Sequence, residues 1–139
     1  MLVVVDTNVM LSAFARQSPI VRLFLALANG EVRLAVTAAI VLEYEEIAGE
    51  RGGSAFASRI MHWLSLVSAA WGTVDVVQPS YQFRVISSDP DDNKFVDCAI
   101  VANADFVITN DSDYAVLANA GYRPQPIKPE DFIAKFLCA

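Results

Sequence analysis

Cysteine and histidine are nearly missing from this chain: Cys98, Cys138 and His62 are the only examples in 139 residues. Cys98 falls inside a predicted helix and Cys138 beside the carboxyl terminus, which makes neither a disulfide framework nor a thiolate metal set. A single histidine builds neither a His-based catalytic triad nor a His-rich zinc site, so His62, on an apolar helix, reads as structural. Glycine is also sparse, and Gly52-Gly53 follows an acidic helix rather than a strand. No backbone loop is therefore suited to cradle a nucleotide phosphate.

Long apolar runs are missing too. The chain is 55% hydrophobic with a mean hydropathy of +0.40, yet no stretch reaches the ~18–20 residues that cross a bilayer. Leu2–Val5 is too short for a signal-peptide core and Asp6 interrupts it, so the expectation is a soluble, cytoplasmic protein of one domain, residues 1–139, with no membrane partner. Positive charge is in deficit: 10 basic against 16 acidic side chains give 10 − 16 = −6. That is the wrong sign for holding nucleic acid by bulk electrostatics. Much of the negative charge gathered in one pocket would change this, because bound divalent ions reverse the local field.

What is present is an alternation of strand and helix. Leu2–Val5 reads as a strand, a helical stretch runs through Leu27, Arg33–Val36 is a second strand, and a helix runs from Ala38 to about Gly49. Asn29-Gly30 closes the first helical region, Thr37 is placed to cap the next helix, and Gly52-Gly53 breaks the chain. Ser54–Ala70 is a third helix, apolar over most of its circumference, with Arg59, His62 and Ser65 as a thin polar stripe; such a helix is deeply packed or part of an interface. A short strand at Val74–Val77 leads into a loop through Pro79. Asp89-Pro90 opens a helix to about Asn103, and Phe106–Thr109 is a central strand. A helix over Ser112–Ala120, a strand at Gln125–Ile127 and a helix from Pro129 to about Leu137 complete the chain. This pattern predicts a doubly wound α/β domain.

Four acidic residues stand beside elements that would carry them to one edge of a parallel sheet: Asp6, Glu43, Asp97 and Asp111. Asp6 ends the first apolar run and Asp111 follows another, at the carboxyl edge where ligands bind in open α/β sheets. Carboxylates crowded there repel one another unless a cation compensates. Mg²⁺ or Mn²⁺ fits an all-oxygen donor set. Capping is the competing role for Asp6, Asn8, Asp111 and Asp113. Asp89, Asp91 and Asp92 read as first-turn capping residues of their helix, with Asp92 also placed to support the acidic set. Glu43 competes with a solvated face formed with Glu46 and Glu50; it is preferred over Glu46 because it lies nearer the helix start. Thr109 and Asn8 are placed to orient the carboxylates. Arg16, Arg22, Arg84 and Lys94 are available as phosphate contacts, though ordinary surface charge explains each singly.

With these residues assembled, the chain resembles the PIN domain family, and more narrowly the PIN-domain toxins of bacterial and archaeal toxin–antitoxin modules. The resemblance rests on Val3-Val4-Val5-Asp6-Thr7-Asn8-Val9, on Leu42-Glu43-Tyr44-Glu45-Glu46-Ile47, on the segment from Asp89 to Ala99, and on Ala104-Asp105-Phe106-Val107-Ile108-Thr109-Asn110-Asp111. It implies a three-layer α/β/α sandwich around a parallel sheet of about five strands. It also implies a Mg²⁺- or Mn²⁺-dependent endoribonuclease cutting single-stranded RNA, a neutralising antitoxin partner and homodimerisation. The family's acidic quartet maps onto Asp6, Glu43, Asp97 and Asp111, as catalytic and metal-binding residues.

Two other classes compete. A non-catalytic PIN-fold interaction module is suggested by the net charge of −6 and the apolar helix at Ser54–Ala70. An aspartate-based phosphatase or phospho-acceptor also places an Asp at the end of its first strand, but here Asn8 stands where the phosphatase carries its second Asp.

Overall fold

The computed structural model describes residues 1–15, 17–79, 83, 85–86 and 92–137. Arg16, Arg84 and Cys138, and the predicted helix start at Asp89-Pro90 with Asp91, lie outside them.

Five strands form one parallel sheet in the order β3-β2-β1-β4-β5. These are β1 (Leu2–Val5), β2 (Arg33–Val36), β3 (Val74–Val76), β4 (Phe106–Ile108) and β5 (Gln125–Ile127). Parallel strands bury both faces under crossover helices and so read as unbroken apolar runs. Val3, Val4 and Val5 are all fully buried, as are Val107 and Ile108. The predicted extension of the third strand survives as a hydrogen bond, since Val77 N–H donates to the Val36 carbonyl at 2.9 Å. Helices flank the sheet, giving the expected α/β/α architecture.

The predicted helical stretch after β1 is two helices, α1 (Thr7–Ala13) and α2 (Val21–Ala28). The next helical run, α3 (Ala38–Trp71), starts on Thr37, whose hydroxyl accepts from Ile40 N–H at 3.2 Å. The Gly52-Gly53 break is real but involves no loop. Gly53 alone leaves helical geometry, at φ 85° and ψ 175°, a region open essentially to glycine. Beyond it, α3 is neither deeply packed nor wholly free. Ile60, Leu64 and Val67 form one buried stripe, while Arg59, His62 and Ser65 stay in solvent. Trp63 stacks on Phe24 and meets Phe14 edge-on, which fastens this half of α3 to the first two helices.

The helix α4 (Asn93–Ala102) buries Phe95, Val96, Cys98 and Ala99 against β1, β2 and β4. Burial pushes the Cys98 thiol up to about 12, so it behaves as apolar filler. The predicted helix over Ser112–Ala120 is a 3₁₀ turn, Ser112–Tyr114, running into a short helix α5 (Ala115–Ala118). The closing helix is α6 (Pro129–Phe132), continued by a π-helical turn, Ile133–Leu137. Among the described residues, no helix is long and apolar enough to cross a membrane.

Candidate metal centre

The strand order reverses direction between β1 and β4, and Asp6 and Thr109 stand at the carboxyl ends of those two strands. This is the switch point where open α/β sheets leave a crevice. The Asp6 amide donates to the Ile108 carbonyl at 3.1 Å and the Thr109 amide to that of Ile127 at 2.9 Å, so the crevice floor is an extension of the sheet.

Asp6 is buried, and both of its oxygens are occupied. Oδ1 accepts from Val9 N–H at 2.9 Å, which makes Asp6 the cap of α1, and Oδ2 accepts from the Thr109 hydroxyl. The capping reading of Asp6 is the observed geometry, and the cap orients the carboxylate along the helix start. Burial raises the Asp6 carboxyl above its ordinary value. The hydrogen bonds from Thr109 and Val9 oppose that rise, and the neighbouring charges of Asp111 and Glu43 add to it.

Thr109 serves two acids. While donating to Asp6, its oxygen accepts from Asp111 N–H at 3.0 Å. Asp111 in turn accepts from Asp113 N–H at 2.9 Å and caps the 3₁₀ turn. One carboxylate oxygen from each of Asp92, Asp111 and Asp113 lies within 4.8 Å of the other two. Asp92 stands at the start of α4 but makes no side-chain cap bond, so its predicted capping role is not what holds it.

Glu43 lies in the second turn of α3, half-buried, while Glu45, Glu46 and Glu50 are exposed. One turn of helix separates a residue facing the crevice from one facing water. Glu43 Oε2 accepts from the Thr7 hydroxyl, and Oε1 is 2.6 Å from the Lys94 ammonium. The next residue, Tyr44, is fully buried and donates its hydroxyl to the Val5 carbonyl, pinning this turn of α3 to the end of β1. Burial holds the Tyr44 phenol well above its usual range.

Asp97 is also buried. Its Oδ1 accepts from Phe83 N–H at 3.1 Å, while Asn93, one turn earlier, exchanges hydrogen bonds with the backbone of Ile86. With Lys94, Thr37 and Gln78, Asp97 lines a cavity of about 310 Å³ beside the amino end of α3. The structure therefore brings Glu43 and Asp111 within electrostatic reach of Asp6, and gathers Asp92 and Asp113 around Asp111. Asp97 is not a member of that triad. Asp92 and Asp113 are the carboxylates that sequence reasoning underrated, although Asp113 two residues after Asp111 was a legible signal for an acidic turn. Asn8, expected to orient the acids, is exposed. Arg22 pairs with Glu31 on the surface, away from these groups.

A family model described as PIN domain matches residues 2–113, from β1 through Asp113, and so spans every acid named above. The chain belongs to the PIN domain family. The match stops before β5, the edge strand of the sheet in this PIN domain, and before the closing helix. Among solved structures, it is similar to VapBC2 from Rickettsia felis, solved bound to a DNA fragment from its promoter. The TM-score is 0.61 at 13% identity, over 92% of this chain and 98% of that one, a likeness of fold. A search of the curated proteins found no match.

Proposed function

We propose that this PIN domain is a Mg²⁺- or Mn²⁺-dependent endoribonuclease cleaving single-stranded RNA, and that it is the toxin of a toxin–antitoxin pair. The observation that carries the reading is Asp6: a buried carboxylate at the sheet's switch point, its proton affinity raised by burial and by the charges of Asp111 and Glu43. A set of like charges in that position is stabilised by a hard cation. The donor chemistry fits, because carboxylate oxygens of Asp92, Asp111 and Asp113 converge and no imidazole or thiolate stands among them.

On this reading Asp6, Glu43, Asp97 and Asp111 are the catalytic and metal-holding residues, and Asp92 and Asp113 join Asp111. A bound Mg²⁺ or Mn²⁺ supplies charge for the scissile phosphodiester and lowers the pKa of a water. Thr109 keeps Asp6 and Asp111 in register, and Thr7 orients Glu43. A divalent ion held by these carboxylates would reverse the local field, so a chain of net charge −6 could still take a polyanion. A homodimeric, cytoplasmic, single-domain protein neutralised by an antitoxin completes the proposal; of these, only the antitoxin partner draws support from the fold shared with VapBC2.

The deciding experiment measures cleavage of a mixed-sequence single-stranded RNA with Mg²⁺ or Mn²⁺ by the wild type, Asp6→Asn, Asp111→Asn and Asp97→Asn. Loss of a direct ligand is expected to lower the rate about 100-fold or more; activity equal in wild type and Asp6→Asn refutes the nuclease. The same series asks whether Asp97, whose oxygen holds the Phe83 amide, acts in the chemistry or in positioning that segment.

The second reading, a non-catalytic interaction module, is favoured by exposed apolar side chains, Val76 on β3 at 69% and Leu66 on α3 at 54% exposure. Absence of Mn²⁺ binding at millimolar concentration would support it over the enzyme.

A further inference from the structure

Lys94 and Glu43 form an ion pair of 2.6 Å between α4 and α3, with side chains only 30% and 21% exposed. Among the described ion pairs it is the one whose acid reaches Asp6 electrostatically. Glu43 is thereby fully engaged: the Thr7 hydroxyl donates to one oxygen and the Lys94 ammonium to the other. These two partners differ in what they permit. A neutral hydroxyl can go on donating to a carboxylate that also binds a cation, since its dipole tolerates a positive charge beyond the oxygen. An ammonium at 2.6 Å competes for the same carboxylate and repels a divalent ion approaching it, in a half-buried setting where water screens poorly.

We propose that Lys94 is a resident cation of the acidic crevice, which neutralises Glu43 and must be displaced from it before Glu43 can serve a divalent ion. The inference rests on the metal-dependent reading of the site. The side chain has somewhere to go, because Lys94 also lines the 310 Å³ cavity that Asp97, Gln78 and Thr37 line. Lys94 is therefore a positioning residue. It keeps the acids from repelling one another in the unloaded protein and sets a threshold for the divalent concentration at which Glu43 is released.

The test is a calorimetric titration of Mn²⁺ into the full chain as wild type, Lys94→Met, Glu43→Gln and the double variant, with thermal melting of each to confirm folding. Lys94→Met is expected to bind Mn²⁺ about five-fold more tightly, because an ion pair of ordinary strength no longer has to be broken. That gain is expected to vanish in the Glu43→Gln background, where the two substitutions are no longer independent. Unchanged or weaker binding by Lys94→Met overturns the proposal, and so does a gain that survives intact without Glu43, which would be a general field effect. Lys94→Gln, which keeps a hydrogen-bond donor without the charge, guards against a folding defect in Lys94→Met and is expected to show the same gain. If the wild type binds no Mn²⁺ at all, the metal-dependent reading falls with this one; if it binds and the variants follow the wild type, only the role of Lys94 falls.

Discussion

Asp6 shows how one side chain can serve the fold and the site and still leave the fold short of its greatest stability. Its Oδ1 caps α1 and its Oδ2 is held by Thr109, so its removal would loosen two elements. Yet burial and the nearby charges of Asp111 and Glu43 raise its pKa, which means the folded state prefers it protonated. The linkage follows from that direction. Below the ordinary aspartate range the group is protonated both folded and unfolded. As pH climbs towards the raised native value, the unfolded chain gives up its proton first and stability falls. Asp6 therefore contributes less to the stability of the isolated protein at neutral pH than it does in acid. Asp6→Asn, which keeps a capping oxygen, is expected to raise the melting temperature by about 4 °C at pH 7. The gain should shrink on acidification below pH 4, as thermal melts across pH would record. A variant less stable than the wild type at pH 7 would show that the lost hydrogen bonds outweigh the relieved charge.

At the scale of elements, the acids are placed by the ends of strands and the starts of helices, and the boundaries between elements carry the information. Where a boundary depends on one residue's chemistry, it was legible: Thr37 caps α3, and the helical run breaks at Gly53. Where it depends on packing, it was not. The stretch after β1 divides into α1 and α2 because Phe14, Phe24 and Trp63 must meet across it. The predicted helix after Asp111 shrinks to a 3₁₀ turn and the four residues of α5. Gly53 offers a clean test, since nothing lies within 4 Å of where its Cβ would be and only the backbone conformation, φ 85° with ψ 175°, resists a side chain. Gly53→Ala is expected to destabilise by about 1–3 kcal/mol in denaturant unfolding, whereas a value near zero would mean that α3 straightens at no loss.

For the whole molecule, Asp6 and Thr109 stand at the switch point between β1 and β4, α3 carries Glu43 within electrostatic reach of Asp6, and the start of α4 carries Asp92 towards Asp111. Cations that bind the folded chain and not the unfolded one stabilise it by mass action. Saturating Mn²⁺, at about one hundred times its dissociation constant, should add ~2.7 kcal/mol and raise the melting temperature by several degrees. Asp111→Asn should lose most of that rise, because Asp111 links the acids around Asp6 to Asp92 and Asp113. An equal rise in both proteins would place the cation elsewhere.

The strands and the acids at their ends were determined by sequence alone. Apolar runs such as Leu2–Val5 and Phe106–Ile108 can be satisfied only by burial on both faces, and a carboxylate following such a run has to emerge at the sheet edge. Which acids meet was decided by tertiary structure. Glu43 and Glu46 are one turn apart on α3, and only packing against β1 turns the first towards Asp6 and leaves the second in water. Asp97 and Asp92 are both near the start of α4, yet the helix's azimuth on the sheet sends one to the Phe83 amide and the other to Asp111. Periodicity says how residues are spaced around a helix, but the direction its face takes is set by long-range contacts.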